Sequence, residues 1–124
     1  MAPPGTTVPD IRTKADAAHE IASLYENAPF GFCLLDRDLR YLRINTYLAR
    51  LNGRPATEHI GRSIGEVIPD LAPRLEPVLR RALETGEPVE GIDVRCATPA
   101  SAGARQCWRV SVLPVRDGAG RIFG

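Results

Sequence analysis

Apolar positions recur at helical spacing over Lys14–Glu26, where Ala17, Ile21, Leu24 and Tyr25 make one stripe. Asn27-Ala28-Pro29 predicts the end of that helix, because proline disfavours the helical state of the residue before it. Phe30–Leu35 is a short apolar run and Arg40–Ile44 alternates, so the two predict a hairpin turning at Asp36-Arg37-Asp38. Asn45 suits an N-cap for a short helix over Thr46–Leu51, which Asn52-Gly53-Arg54-Pro55 stops. Ala56–Ile60 has room for one turn. Ser63-Ile64-Gly65-Glu66 fits a capping box, opening a short helix that Pro69 ends.

Asp70 is expected to cap a longer helix reaching about Thr85, with Leu71, Leu75, Val78, Leu79 and Leu83 on its buried stripe. Pro77 is expected to push its regular start towards Arg74 or to kink it. Gly86 supplies the C-cap and Pro88 prevents continuation. Val89–Cys96 and Gln106–Arg116 predict two longer strands, joined by the small-residue stretch Ala97–Ala104. Setting Val94 beside Val110 and Ile92 beside Val112 puts Cys96 opposite Trp108 and turns Cys107 to the other face, which disfavours a Cys96–Cys107 disulfide. Asp117-Gly118-Ala119-Gly120 is a turn, and Arg121–Gly124 begins a last strand. That abrupt stop predicts a longer parent protein. Strands at both ends with helices between them predict an α+β domain: one antiparallel sheet with helices covering one face.

Composition narrows the function classes. The 124 residues fit one domain, with 44% hydrophobic and 25% charged positions. Sixteen basic and fifteen acidic residues give a net charge of +1 and no basic stripe, so no nucleic-acid partner is expected. Arg80-Arg81 reads as a solvated helix face. Residues 1–13 read as a flexible leader without a secretory core, and no stretch is long enough to span a membrane, so a cytoplasmic location is expected. Cys33, Cys96 and Cys107 have neither zinc nor disulfide-framework spacing. Glu66, Asp70, Glu84, Glu87, Glu90 and Asp93 make no evident acid–base pair, and Gly61-x-x-x-Gly65 lacks the Lys-Ser/Thr of a phosphate loop. Neither a catalytic nor a metal site is expected.

Several segments in this order resemble the PAS family: Leu24-Tyr25-Glu26-Asn27-Ala28-Pro29-Phe30-Gly31, Asp36-Arg37-Asp38-Leu39-Arg40-Tyr41, Asn45, His59-Ile60-Gly61-Arg62-Ser63, Ala82–Pro88, and Trp108 through Gly124. The resemblance covers about four-fifths of the chain. It implies a five-stranded antiparallel sheet in order 2-1-5-4-3, with a PAS domain over 28–124 and a flanking helix over 14–27. It also implies a bacterial signalling protein: a sensory module or dimerisation platform upstream of an output such as a histidine kinase, as in two-component systems.

The sharper PAS chemistries lack members here. A covalent flavin adduct needs a cysteine where this chain has Gly61-Arg62-Ser63-Ile64-Gly65, so none is expected. Haem needs an axial ligand. The long helix has no histidine, and His19 and His59 read as surface residues, so haem is not expected. The cofactor stays unassigned.

Two candidate sites remain. Cys33, Leu35, Leu42, Ile44, Tyr47, Leu48, Ile64, Val67, Ile68, Val78, Leu79, Ile92, Val94, Trp108 and Val110 are placed between sheet and helices, lining either a small-molecule pocket or a filled core. Ala17, Ile21 and Leu24 form a stripe too short to hold a lone helix, so it is expected to pack on the open sheet face or on a partner subunit, and the PAS resemblance implies a homodimer contact there. The alternative function is a purely structural dimerisation module with no ligand.

Overall fold

The protein is described from a computed structural model, which covers residues 14–96 and 106–124. The expected leader over 1–13 and the loop Ala97–Ala104 lie outside the described residues. Helix α1 spans Lys14–Asn27; strands β1 (Cys33–Leu35) and β2 (Tyr41–Ile44) follow. Helix α2 (Thr46–Asn52), a 3₁₀ turn (Ala56–Glu58), α3 (Ile64–Val67) and α4 (Ala72–Thr85) cross to β3 (Val89–Cys96) and β4 (Gln106–Val112).

Local capping sets these boundaries. The Asn45 side chain accepts from Leu48 N at the start of α2, and Gly53 closes the helix at φ 77. Ser63 and Glu66 form both halves of a capping box on α3. Asp70 does not cap α4. The N-cap is Leu71, without a side-chain bond, because the amides of Leu71 and Ala72 already donate to the carbonyl of Ile68 at 3.1 and 2.9 Å. Helix α4 also runs unbroken through Pro77. The bond that Pro77 forfeits is to Pro73, in the exposed first turn, where water can replace it.

Among the described residues the strands form two antiparallel pairs, β1–β2 and β3–β4. In β3–β4, Val94 faces Trp108, Ile92 faces Val110 and Cys96 faces Gln106. The register therefore lies two residues from the expected one. A slip of two keeps every side chain on its face, so alternation alone does not separate the two registers. β4 stops at Val112, short of Arg116, just before Pro114, which has no amide to give a ladder.

In β1–β2, Cys33 pairs with Ile44 and Leu34 with Arg43, but Leu35 pairs with Tyr41. Leu42 is the extra residue of a bulge. Leu39, Tyr41, Ile44, Ala49, Ile64, Val67, Ile68, Leu71, Ala72, Leu75 and Val94 close into one core. Each large apolar side chain buried this way stabilises the fold by about 1.5–3 kcal/mol.

The Asp36 and Asp117 turns share one geometry. The Asp36 carboxylate accepts from the amides of Asp38 and Arg40 at 2.9 and 3.0 Å. Asp117 accepts from Ala119 and Arg121 at 2.8 and 3.0 Å. The fourth position of each turn has positive φ: Leu39 at 60 and Gly120 at 81. Leucine tolerates that strain because its side chain is buried in the core.

Candidate functional site

Cross-strand pairing defines an inner face on each sheet. On β1–β2, Cys33 and Leu35 share a face with their partners Ile44 and Tyr41. On β3–β4, Ile92 and Val94 share a face with Val110 and Trp108. Helices supply the opposite wall. Ile64, Val67 and Ile68 are buried, and Leu48 and Leu79 pack against the same core, as do Leu35, Ile92, Trp108 and Val110.

Three expected lining residues fall elsewhere. The bulge puts Tyr41 inward and throws Leu42 out to 42% exposure. Helix α2 turns Ala49 and Asn52 to the core and leaves Tyr47 at 43% exposure. Val78 lines an outer groove of about 480 Å³ with Pro77, Arg81, Thr85, Glu87, Pro88 and Val89. A second groove, about 430 Å³, runs along α2 past Thr46, Arg50 and Arg54. The first groove lies between α4 and the start of β3, and the second lies on α2 and the turn that follows it. On α1, Ile21 and Leu24 are two-thirds exposed, and Ala17 is half-buried.

His59 is not a surface residue. It is fully buried, edge-on to Tyr41 with ring centroids 5.2 Å apart. Its Nδ1–H donates to the Pro55 carbonyl at 2.9 Å, and Nε2 accepts from Asn52 Nδ2 at 3.2 Å. Asn52 also bonds Tyr41, whose hydroxyl pKa is raised chiefly by burial and further by nearby Cys33. Sequence patterning missed this cluster because its members come from three elements, none of them a strong polar signal. Asn45 is likewise buried and satisfied on all sides, accepting from Phe32 N and Leu48 N and donating to the carbonyls of Tyr25 and Phe30.

Among the described residues two buried polar atoms stand apart, since Tyr25 Oη and Trp108 Nε1 have no hydrogen-bond partner. The Tyr25 ring stacks on Phe32 at 5.4 Å. Burial pushes its hydroxyl up to about 12, with Cys33 and Glu26 adding to the shift. Cys33 itself is open to solvent on one side. The protein enclosing its other sides pushes the thiol up to about 12. Among the described residues, no three His, Cys, Asp or Glu side chains gather as metal ligands.

Comparison with curated protein sequences gives no match. The family profile described as the PAS fold matches residues 25–124. The chain belongs to the PAS family. A PAS domain is a sensory module, not a catalytic one. Solved structures agree on the fold. The VqmA dimer of Vibrio cholerae is 26% identical with a TM-score of 0.72, over 85% of this chain and 48% of that one. The PAS domain of an HTR-like protein from Haloarcula marismortui is 23% identical with a TM-score of 0.62, over 87% and 91%. A sensory box histidine kinase structure from Vibrio cholerae is 18% identical with a TM-score of 0.60, over 88% and 86%. This PAS domain thus spans about half of the VqmA chain. VqmA is described with a target DNA, which is at odds with the charge-based expectation of no nucleic-acid partner. No described helix is long and apolar enough to cross a membrane.

Proposed function

We propose that this PAS domain binds a small molecule between the inner sheet faces and α3–α4, and relays occupancy to an output module such as a histidine kinase. The observation that carries this reading is Cys33. It lies on the inner face beside Tyr41 and Ile44, yet solvent reaches it, as an open recess requires and a filled core does not. The similar VqmA has been solved bound to DPO, which supports a ligand-binding role for this fold. The lining is proposed as Cys33, Leu35, Ile44, Leu48, Ile64, Ile68, Leu79, Val94, Trp108 and Val110.

We further propose that α1 flanks a domain over 28–124 and forms a homodimer contact through Ala17, Ile21 and Leu24. The two-thirds exposure of Ile21 and Leu24 supports this, since such a stripe gains by being covered. The strand order 2-1-5-4-3 is proposed as well. Gly124 lies against the Leu35 carbonyl of β1 while its own carbonyl accepts from Val115, so a fifth strand fits between β1 and β4.

Native mass spectrometry of the purified chain tests ligand and dimer together. A bound small molecule is expected on a dimer. A ligand-free dimer would instead favour a structural dimerisation module with a filled core.

A further inference from the structure

The buried polar groups divide into two kinds. Asn45, Asn52 and His59 spend their hydrogen bonds on the protein itself. Trp108 Nε1–H is buried and donates to nothing. A buried donor without an acceptor is costly, and such groups in native proteins usually have a partner. Trp108 shares the inner face with Val94, its cross-strand partner, and packs against the core.

None of the described residues proposed to line that wall is ionised. Leu35, Ile44, Ile64, Leu79 and Val110 are hydrocarbon, and Tyr41 and Cys33 are neutral at physiological pH. An ion placed there would lose its hydration without gaining a countercharge. A neutral molecule with an acceptor loses little and satisfies the indole.

We propose that the ligand is an uncharged, largely apolar molecule whose carbonyl or ring-nitrogen acceptor takes the hydrogen bond of Trp108 Nε1. This deepens the sensing role proposed above and rests on it. Trp108 is then the specificity-determining residue of the recess. It selects for an acceptor, and the surrounding wall selects against charge.

Trp108 is the single tryptophan of the sequence, so the protein has one indole N–H resonance. Three probes of similar size separate the contributions: acetophenone (neutral, with an acceptor), ethylbenzene (neutral, without one) and benzoate (charged). Each is titrated into the 124-residue chain while the indole proton–nitrogen cross-peak is followed. Acetophenone is expected to saturate and move the peak downfield. Ethylbenzene is expected to bind about tenfold more weakly with no downfield shift, and benzoate not to bind. In Trp108→Phe the advantage of acetophenone over ethylbenzene is expected to vanish, as read by ligand-observed NMR. The wild-type titration stands even where that variant folds poorly.

Preference for benzoate, or acetophenone binding that leaves the indole peak unmoved, overturns the proposal. A charged molecule found on the purified protein overturns it too, while leaving the sensing role intact. If no probe binds and no molecule is carried through purification, both fail together.

Discussion

The side-chain amide of Asn45 donates to the main-chain carbonyl of Tyr25 at 3.1 Å. One fully buried residue thereby ties the last turn of α1 to the start of α2. The same amide donates to Phe30 O at 2.8 Å, and its oxygen receives Phe32 N and Leu48 N. Asn45→Ala is expected to cost about 3 kcal/mol, a lost cap plus several stranded backbone groups. Asn45→Asp is expected to be no milder, because a carboxylate would face two carbonyl oxygens. Urea denaturation of the three proteins measures both. An Asp variant as stable as wild type would contradict this account.

His59→Phe keeps an aromatic ring beside Tyr41 but removes the partners of Asn52 Nδ2 and Pro55 O. The expected loss is about 1–3 kcal/mol. A His59→Phe, Asn52→Leu double variant is expected to be no more stable than His59→Phe, because removing Asn52 strands the buried Tyr41 hydroxyl that it bonds. Thermal melts of the single and double variants read this coupling.

Leu39→Gly relieves a backbone held at φ 60 but empties a core position that is 2% exposed. Relief of about 1 kcal/mol is outweighed by a cavity cost of about 3 kcal/mol. A net loss of stability is expected. A gain in melting temperature would show that the turn, and not the core, governs this position.

Alkaline pH is expected to destabilise the fold. Cys33 is raised from 9.0 to about 12 and Tyr25 from 10.0 to about 12. Tyr41 is raised as well. For each group the unfolded chain ionises first, so stability is intact below pH 9 and is lost as pH climbs towards 12. Urea midpoints at pH 7, 9 and 10.5 check the sign. The same shift keeps Cys33 a thiol near neutrality, so iodoacetamide is expected to label it slowly despite its exposure.

Ile21→Glu with Leu24→Glu is expected to change the stability of the single chain by no more than about 0.5 kcal/mol, because both side chains are exposed within it. Sedimentation is expected to shift from dimer to monomer. No change in sedimentation would remove α1 from the proposed contact.

Features written in neighbouring residues were legible in the sequence. Asn45 before Thr46, Gly53 after Asn52 and Ser63 three residues before Glu66 each act within one turn, and each forms as the pattern predicts. The full extent of β3 was legible too. What depended on distant partners was not. Leu42 and Tyr41 exchange faces because of a bulge, and alternation contains no signal for one extra residue. His59 is buried by Tyr41 and Asn52, which lie 18 and 7 positions earlier in the chain. Of the proposed recess, the apolar wall was readable as a list of inward positions. The orphan indole nitrogen was not, since a missing acceptor is a property of the space and not of the residue.

The paired turns at Asp36 and Asp117 bear on protein engineering. Both use one carboxylate to gather two amides, but only the second places glycine at the strained position. The stretch around Gly118–Gly120 is exposed and commits no side chain to the interior. It is the natural place to graft a fluorophore tag or a reporter peptide. At the Asp36 turn Leu39 reaches into the core, so a similar graft there would pull out a core side chain along with the loop.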